Sequence, residues 1–391
     1  MPGQLRVLQV TPRFFPDMGG IETHVYETTR RLNTFPDLRV DVLTTDRAGH
    51  RPPVEVVEGV QVRRVPAWPR ERDYYIAPRI QATVRGGRYD LVHCQGVHTA
   101  VPIIAMAAAL AARTPYLVSP HTGGHSSAVR HRLRDVQWRV LGPLLRRAQA
   151  VLCVAQFEKE MFARAAGVPD DRLAVIPNGV EATTATDVRP DPDTPTVVSV
   201  GRFEKYKGQH HLIAALPALL EREPRTRLML VGRGPYEDEL RAQSARLGVA
   251  DQVGFTFIPP AERQAMTDLL AGAHVVALLS EYEAHPVAVM EAVALGRPVV
   301  VAPTTGLGEL ADRGLADRVD DPADASAVAA ALLQHLKPNL DISGPDTSGP
   351  DTANPDASGS AAAGNHRTRY PSLPTWDDCA LALADVYRAA V

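Results

Sequence analysis

Between His274 and Ala302 the chain passes through a short apolar run, an acidic turn, a helical stretch and a second short apolar run. His274–Leu279 is β-rich without polar alternation, the pattern of a parallel strand covered on both faces. Pro286 suits the first helical position, where a missing N–H costs nothing. The helix is expected over Val287–Leu295, with Gly296 as its stop. Pro298 bars continuation before the next strand, Val299–Ala302. Such a unit fits few architectures, and it recurs. Strands are predicted at Leu5–Thr11, Arg39–Thr44, Val60–Val65, Asp90–His93, Tyr116–Ser119 and Ala150–Val154. They resume at Thr196–Val200, Arg227–Val231 and Gln252–Phe257, with helices between. The alternation is that of α/β, doubly wound parallel sheets.

At 391 residues the chain exceeds what one core usually serves, so two domains are expected. The first covers 1–180 and closes on the turn Ile176-Pro177-Asn178-Gly179-Val180. Residues 181–194, rich in Pro, Asp and Thr, read as linker, and 195–336 as the second domain. In 337–370 Ser-Gly-Pro-Asp-Thr recurs at 343–347 and 348–352. That composition buries too little apolar surface to offset ordering, so a disordered insertion is expected. Residues 371–391 hold a last amphipathic helix, Thr375–Ala390.

Several function classes drop out. A net charge of −3 argues against nucleic acid as a partner. Cys94, Cys153 and Cys379 are scattered and odd in number, forming neither a disulfide framework nor a metal cluster, so a reducing cytoplasm fits. Met1–Arg6 carries no signal-peptide pattern. The longest apolar run, Ala100–Ala112, is too short to span a bilayer. The basic stretch 129–147 leaves peripheral membrane contact open. There Val129, Leu133, Val136, Val140 and Leu144 line one helical face, and Trp138 lies opposite, near His131 and Arg134. Arginines on a solvated face are the plainer account.

Chemistry collects where strands end. Gly19 and Gly20 follow the first strand and open a helix, leaving backbone free to approach a ligand. No Gly-Lys-Ser/Thr follows, so this is no nucleotide P-loop, and no G-x-G-x-x-G marks a dinucleotide fold. His121 ends a strand beside Gly123 and Gly124, with His125 close by. Arg202 and Lys207 stand in a loop flanked by Gly201 and Gly208, where the pair suits a diphosphate. Gly232 and Gly234 form another strand-end turn. Glu283 falls at the mouth of the strand that ends at Leu279, and Glu291 lies further along the next helix. That spacing alone equally fits two solvated acids.

Taken together these segments resemble the retaining GT-B glycosyltransferases of family 4, the group 1 type. The likeness rests on Gly201-Arg202 to Lys207-Gly208, the Pro-Asn-Gly turn, Gly232-Arg233-Gly234-Pro235, and the Glu283–Glu291 unit, which matches E-x7-E. It implies two Rossmann-like domains facing across a cleft, with the last helix crossing back to the first. It implies transfer of a hexose from a UDP- or GDP-sugar to a hydroxyl of a natural-product, polysaccharide or glycolipid acceptor, with no cofactor and no metal. Arg202 and Lys207 would hold the diphosphate, Glu291 the ribose and Glu283 the sugar. His121 would touch a sugar hydroxyl, and the Gly19-Gly20 loop would lie against diphosphate and acceptor. Gly232, Gly234, His285, Val287 and Ala288 would line the donor. Pro286 stands where the family often has glycine, which removes one amide but leaves those of Val287 and Ala288. Asp191-Pro192-Asp193 imitates a metal motif of another glycosyltransferase fold but sits in the linker. Two rivals remain at this stage: a GT-B sugar-nucleotide epimerase, and a non-catalytic sugar-nucleotide-binding subunit.

Overall fold

The structure, a computed structural model, describes residues 3–17, 19–70, 75–122, 128–181, 186–259, 262–336 and 373–391, without the side chains of 128–136. The insertion expected at 337–370 and His125 lie outside the described residues, as do the side chains of Arg130, His131 and Arg134.

The first half opens with β1 (Leu5–Val10), α1 (Gly20–Leu32), β2 (Leu38–Asp46), β3 (Val54–Val57), β4 (Val60–Pro66) and α2 (Arg79–Gly86). It continues through β5 (Leu91–Gln95), α3 (Ala100–Ala112), β6 (Tyr116–Ser119), α4 (Ala128–Leu145), β7 (Ala150–Cys153), α5 (Gln156–Ala166) and β8 (Leu173–Val175). The second half starts with β9 (Thr196–Val200), α6 (Gln209–Leu220), β10 (Arg227–Val231), α7 (Glu237–Arg246), β11 (Val253–Thr256) and α8 (Arg263–Ala271). Then follow β12 (Val275–Leu278), α9 (Val287–Ala294), β13 (Val299–Val301), α10 (Thr305–Asp312), β14 (Asp317–Arg318), α11 (Ala325–Leu336) and α12 (Trp376–Ala389).

The strands form two sheets, ordered β3-β4-β2-β1-β5-β6-β7-β8 and β11-β10-β9-β12-β13-β14. Pairing is parallel except in the β3–β4 hairpin. In each sheet the first strand is central and the order reverses beside it, between β1 and β5 and between β9 and β12. Open α/β sheets bind ligands outside the carboxyl ends of strands at such reversals. The inner strands are covered on both faces, so β5, β6, β12 and β13 are continuous buried runs rather than alternating patterns, whereas β3 at the edge alternates.

The strands expected from sequence are present to within a few residues, and three more, β3, β8 and β14, are added. β3 turns back through Glu58 and Gly59, at φ 45° and 81°. Two successive positive φ values give the tight hairpin turn whose twist matches its strands. β8 is three residues long, too short for any period to show.

Three local readings are corrected. Pro286 stands at the N-cap, one place before the helix, with φ −72° and ψ 115°. Trp138 is 1% exposed and packs edge-on against Phe162 at 5.2 Å, whereas Val140, assigned to the buried face, is 70% exposed. Trp138, Leu141 and Leu145 form the stripe that is buried, because its apolar area exceeds that of Val140. Trp138 is therefore not available to a lipid surface. Among the described residues no helix is long and apolar enough to cross a membrane.

α12 closes the structure. Its N-terminus has a capping box between Thr375 and Asp378. Trp376, Cys379, Ala380, Leu383, Ala384 and Tyr387 form one buried face that packs on Val7, Leu91, Leu117 and Leu152 of the first sheet. Val180 joins the start of this helix to the Pro-Asn-Gly turn, its N–H bonding Pro374 O at 3.0 Å.

Candidate active site

The loop after β9 tightens into a single turn at Lys205–Lys207 and enters α6 through Gly208. Gly208 has φ 74°, and a Cβ there would lie 1.9 Å from Leu279 O. Only glycine lets this loop press against the end of β12. Lys207 Nζ thereby reaches Glu283 Oε1 at 2.6 Å, and Ser280 Oγ donates to the same oxygen at 2.8 Å. The α10 entry holds the glutamate from behind. The Glu283 N–H donates to Thr305 Oγ1 at 2.9 Å, and Gly306 N–H donates to Glu283 O at 2.9 Å. Burial alone would lower the Lys207 ammonium, but the Glu283 charge and hydrogen bond outweigh it and hold its pKa above the ordinary value. This lysine stays charged at any physiological pH.

Arg202 shares the loop, half-exposed, with Nε 3.3 Å from Glu204 Oε1. Gly232 and Gly234 in the loop after β10 meet this segment through backbone. A Cβ at Gly232 would lie 2.0 Å from Gly201 O, and one at Gly234 would lie 2.1 Å from Phe203 O. Their placement explains the glycines by close approach of two loops. Val287 and Ala288 begin α9, whose N-cap supplies no side-chain hydrogen bond. First-turn amides left uncapped by protein are an anion site when a ligand is present.

Glu291, further along α9, forms an ion pair with Arg263 at the start of α8. Burial raises its pKa, and Arg263 offsets only part of that rise. Sequence spacing had no means of finding Arg263, because the partner lies on another helix.

His285 is 7% exposed, and neither ring nitrogen has a protein partner. Burial, then the charge of Arg313, lowers its pKa to about 4. Its carbonyl accepts from Asn178 Nδ2 at 2.9 Å, and Asn178 Oδ1 lies 2.9 Å from His24 Nδ1. The Pro-Asn-Gly turn thus ties α1 to the entry of α9.

On the first sheet His121 follows β6, two residues past its end, at φ 45°, an uncommon conformation for a residue with a Cβ. Its Nε2 lies 2.8 Å from Gln95 Oε1, so Nε2 carries the proton. Burial, reinforced by His24, His93 and His98, keeps the ring neutral well below its usual range. Behind it runs a buried polar chain that the sequence reading missed. Gln95 Nε2 donates to Gln9 Oε1 at 3.0 Å, and Gln9 Nε2 to Tyr387 Oη at 3.1 Å. Tyr387 Oη also lies 2.7 Å from His93 Nδ1. Gln9, His93 and Gln95 interrupt strands whose other buried residues are apolar, and that contrast was the available signal.

Gly19 is the N-cap of α1 and Gly20 its first residue, exposed. Beside them Glu22 has its pKa pushed up to about 7, chiefly by burial, with Arg13 and the Gly19 and Glu22 amides opposing. The two halves meet where these parts face one another. Tyr282 Oη donates to Thr122 Oγ1 at 2.9 Å, one residue from Glu283 and one from His121. Glu309 of α10 accepts the backbone N–H groups of Gln156 and Phe157, capping α5 from across the cleft.

The sequence profile of Glycosyltransferase Family 4 matches residues 18–184, and that of Glycosyl transferases group 1 matches residues 182–341. The GDP-mannose:cellobiosyl-diphosphopolyprenol alpha-mannosyltransferase of Xanthomonas campestris is 27% identical, over 84% of this chain and 88% of that protein. The D-inositol 3-phosphate glycosyltransferase of Nocardiopsis dassonvillei is 31% identical, over 74% and 75%. Among solved structures, sucrose-phosphate synthase from Thermosynechococcus elongatus aligns with a TM-score of 0.70 at 21% identity, over 85% of this chain and 89% of that one. Anabaena Alr3699/HepE in complex with UDP-glucose aligns at 0.64 and 21%, over 85% and 96%. The fold is GT-B, and the two profiles meet at the linker: this chain belongs to Glycosyltransferase Family 4, with a second half of the group 1 type, and is a glycosyltransferase.

Proposed function

We propose that the enzyme moves a hexose from a UDP- or GDP-linked sugar to an acceptor hydroxyl, with retention at the anomeric carbon. One observation carries the reading: a lysine and a glutamate joined at 2.6 Å at the second sheet's reversal point, one residue from a contact with the His121 loop. A departing diphosphate needs fixed positive charge, and a sugar needs acceptors for its hydroxyls. Here both lie within one hydrogen bond.

Arg202, Lys207 and the α9 amides of Val287 and Ala288 take the diphosphate. Glu283 accepts from the sugar, Glu291 from the ribose, and His285 turns its unpartnered nitrogens to the donor. His121, neutral and donating to Gln95, serves as a hydrogen-bonding partner rather than an acid. In the transfer the bond from C1 to the phosphate oxygen breaks and the acceptor oxygen bonds C1 on the same face. The acceptor proton passes to the leaving phosphate.

The names of the relatives support a nucleotide-sugar donor, GDP-mannose in one, and a phosphate-bearing acceptor, cellobiosyl-diphosphopolyprenol in one and D-inositol 3-phosphate in another. Protein cations answer the diphosphate charge in this proposal, so full activity is expected in excess chelator. Loss of activity, restored by Mg2+ or Mn2+, would reject that part. The donor is tested by thermal shift against UDP- and GDP-hexoses, since a bound ligand stabilises by RT ln(1 + [L]/Kd). A shift with one series, abolished in Lys207→Ala, is expected; no shift with either rejects the reading.

A further inference from the structure

The first sheet carries a pocket that the transfer just described leaves unused. It is an open pocket of about 410 Å3, lined chiefly by Arg13, Asp17, Thr45, Arg47, Arg51 and Arg70. Four arginines and Asp17 line it, with Asp46 beside Arg51 and Glu22 near Arg13. Thr45 ends β2, and the other residues come from the segments that follow β1, β2 and β4, three neighbouring strands of one sheet. The pocket therefore opens on the carboxyl edge of the sheet, the same edge as His121.

The lining is built, not incidental. Asp46 accepts the N–H groups of Gly49 and Arg51 at 2.8 and 3.1 Å, which fixes the loop that presents Arg47 and Arg51. Arg47 donates to Arg70 O through Nε at 3.0 Å and Nη2 at 2.7 Å, and lies 5.1 Å over the Tyr75 ring. Tyr75 Oη in turn donates to Pro12 O at 2.9 Å, beside Arg13. Arg51 Nη2 stands 3.0 Å from Asp17 Oδ2. The four arginines outnumber the carboxylates beside them, Asp17, Asp46 and a Glu22 whose pKa burial raises, so the pocket keeps positive charge for an anion. All four are arginines, whose planar forks match phosphate oxygens in pairs where lysine offers a point charge.

We propose that this pocket binds a phosphate group of the acceptor. The inference rests on the proposed transfer and adds to it that the acceptor lies on the first domain, where the Gly19-Gly20 loop is expected to meet it. β2 and β6 are three strand spacings apart, about 14 Å, so the phosphate lies well to the side of His121. Phosphate and receiving hydroxyl then occupy opposite ends of the acceptor. The phosphate is that of a soluble sugar phosphate or of a polyprenyl lipid, which share this chemistry.

The test uses full-length protein saturated with UDP or GDP, whichever binds, so that the donor site is filled. Inorganic pyrophosphate and glucose 1-phosphate are titrated by calorimetry. Phosphatidylcholine vesicles with and without polyprenyl phosphate are sedimented with the protein. Wild type is expected to bind pyrophosphate with nucleotide in place. Arg51→Gln/Arg70→Gln should weaken that binding about ten- to a hundredfold and leave nucleotide affinity unchanged. Asp17→Asn should bind pyrophosphate at least as tightly as wild type. Binding of glucose 1-phosphate assigns a soluble acceptor, and binding of the polyprenyl phosphate vesicles alone assigns a lipid one. The proposal is overturned if the double variant keeps wild-type affinity, or if wild type binds none of the three probes. Failure of UDP and GDP to bind would instead sink the donor reading, and the same variants in nucleotide-free protein would still decide the pocket.

Discussion

The Lys207 and Glu283 side chains, 16% and 12% exposed, have given up most of their hydration to meet at 2.6 Å. Removing one partner leaves the other charge stranded, at a cost of about 3–5 kcal/mol for a buried pair. Lys207→Met should therefore lose more stability than Lys207→Met/Glu283→Gln, in which no charge is stranded. Urea denaturation of both, with Glu283→Gln alone completing the cycle, checks this, and simple additivity of the single losses would contradict it. Glu291 differs in kind. Its proposed ribose contact does not change during the reaction, so Glu291→Gln should raise KM and weaken nucleoside-diphosphate binding with kcat nearly kept. Unchanged diphosphate affinity would refute the ribose assignment. The two glutamates were legible as a seven-residue spacing at a strand mouth. Their partners were not. Ser280, Thr305 and Arg263 reach them through tertiary contacts that no local period encodes.

α12 shows the same division at the scale of elements. Its bounds follow from an apolar stripe and a cap, both local, and it lies on the first sheet as the family resemblance implies. What it contributes to the site did not. Tyr387 was one more residue on an apolar face, yet its hydroxyl anchors Gln9 and His93 and, through Gln95, the His121 ring. Tyr387→Phe should cost about 1–3 kcal/mol, because buried partners are left unsatisfied. It should also lower kcat about tenfold with KM little changed, as expected of a positioning residue whose loss costs about 1.4 kcal/mol at the transition state. A stability loss with kcat intact would confine it to structure. α4 erred in the other direction, since a stripe through Val140 and one through Trp138 both satisfy a helical period. The larger buried surface decided between them.

Across the whole molecule, buried neutral histidines sit on α1, on β5 and at the entry of α9. His24, His93 and His285 have folded pKa values of about 4, 3 and 4, each lowered first by burial. An unfolded chain takes up their protons first, so stability falls as pH drops from about 6.5 towards 4. Glu22, raised to about 7, works the opposite way between pH 7 and 4.5. The clean readout is therefore a difference between variants. His285→Asn should flatten the loss of stability with falling pH by up to about 1.4 kcal/mol per pH unit in that window. An unaltered slope in urea denaturation at several pH values would contradict the neutral, buried ring. The two sheets also depend on each other for completeness, because Glu309 of one half caps α5 of the other. The account centres on Glu283 as the carboxylate that holds the transferred sugar. The decisive measurement is turnover and nucleoside-diphosphate affinity of Glu283→Gln beside wild type. The account predicts kcat lower by roughly 10²–10³-fold, about 2.7–4 kcal/mol, with diphosphate affinity retained because Arg202, Lys207 and the α9 amides remain. Wild-type kcat in that variant would contradict it.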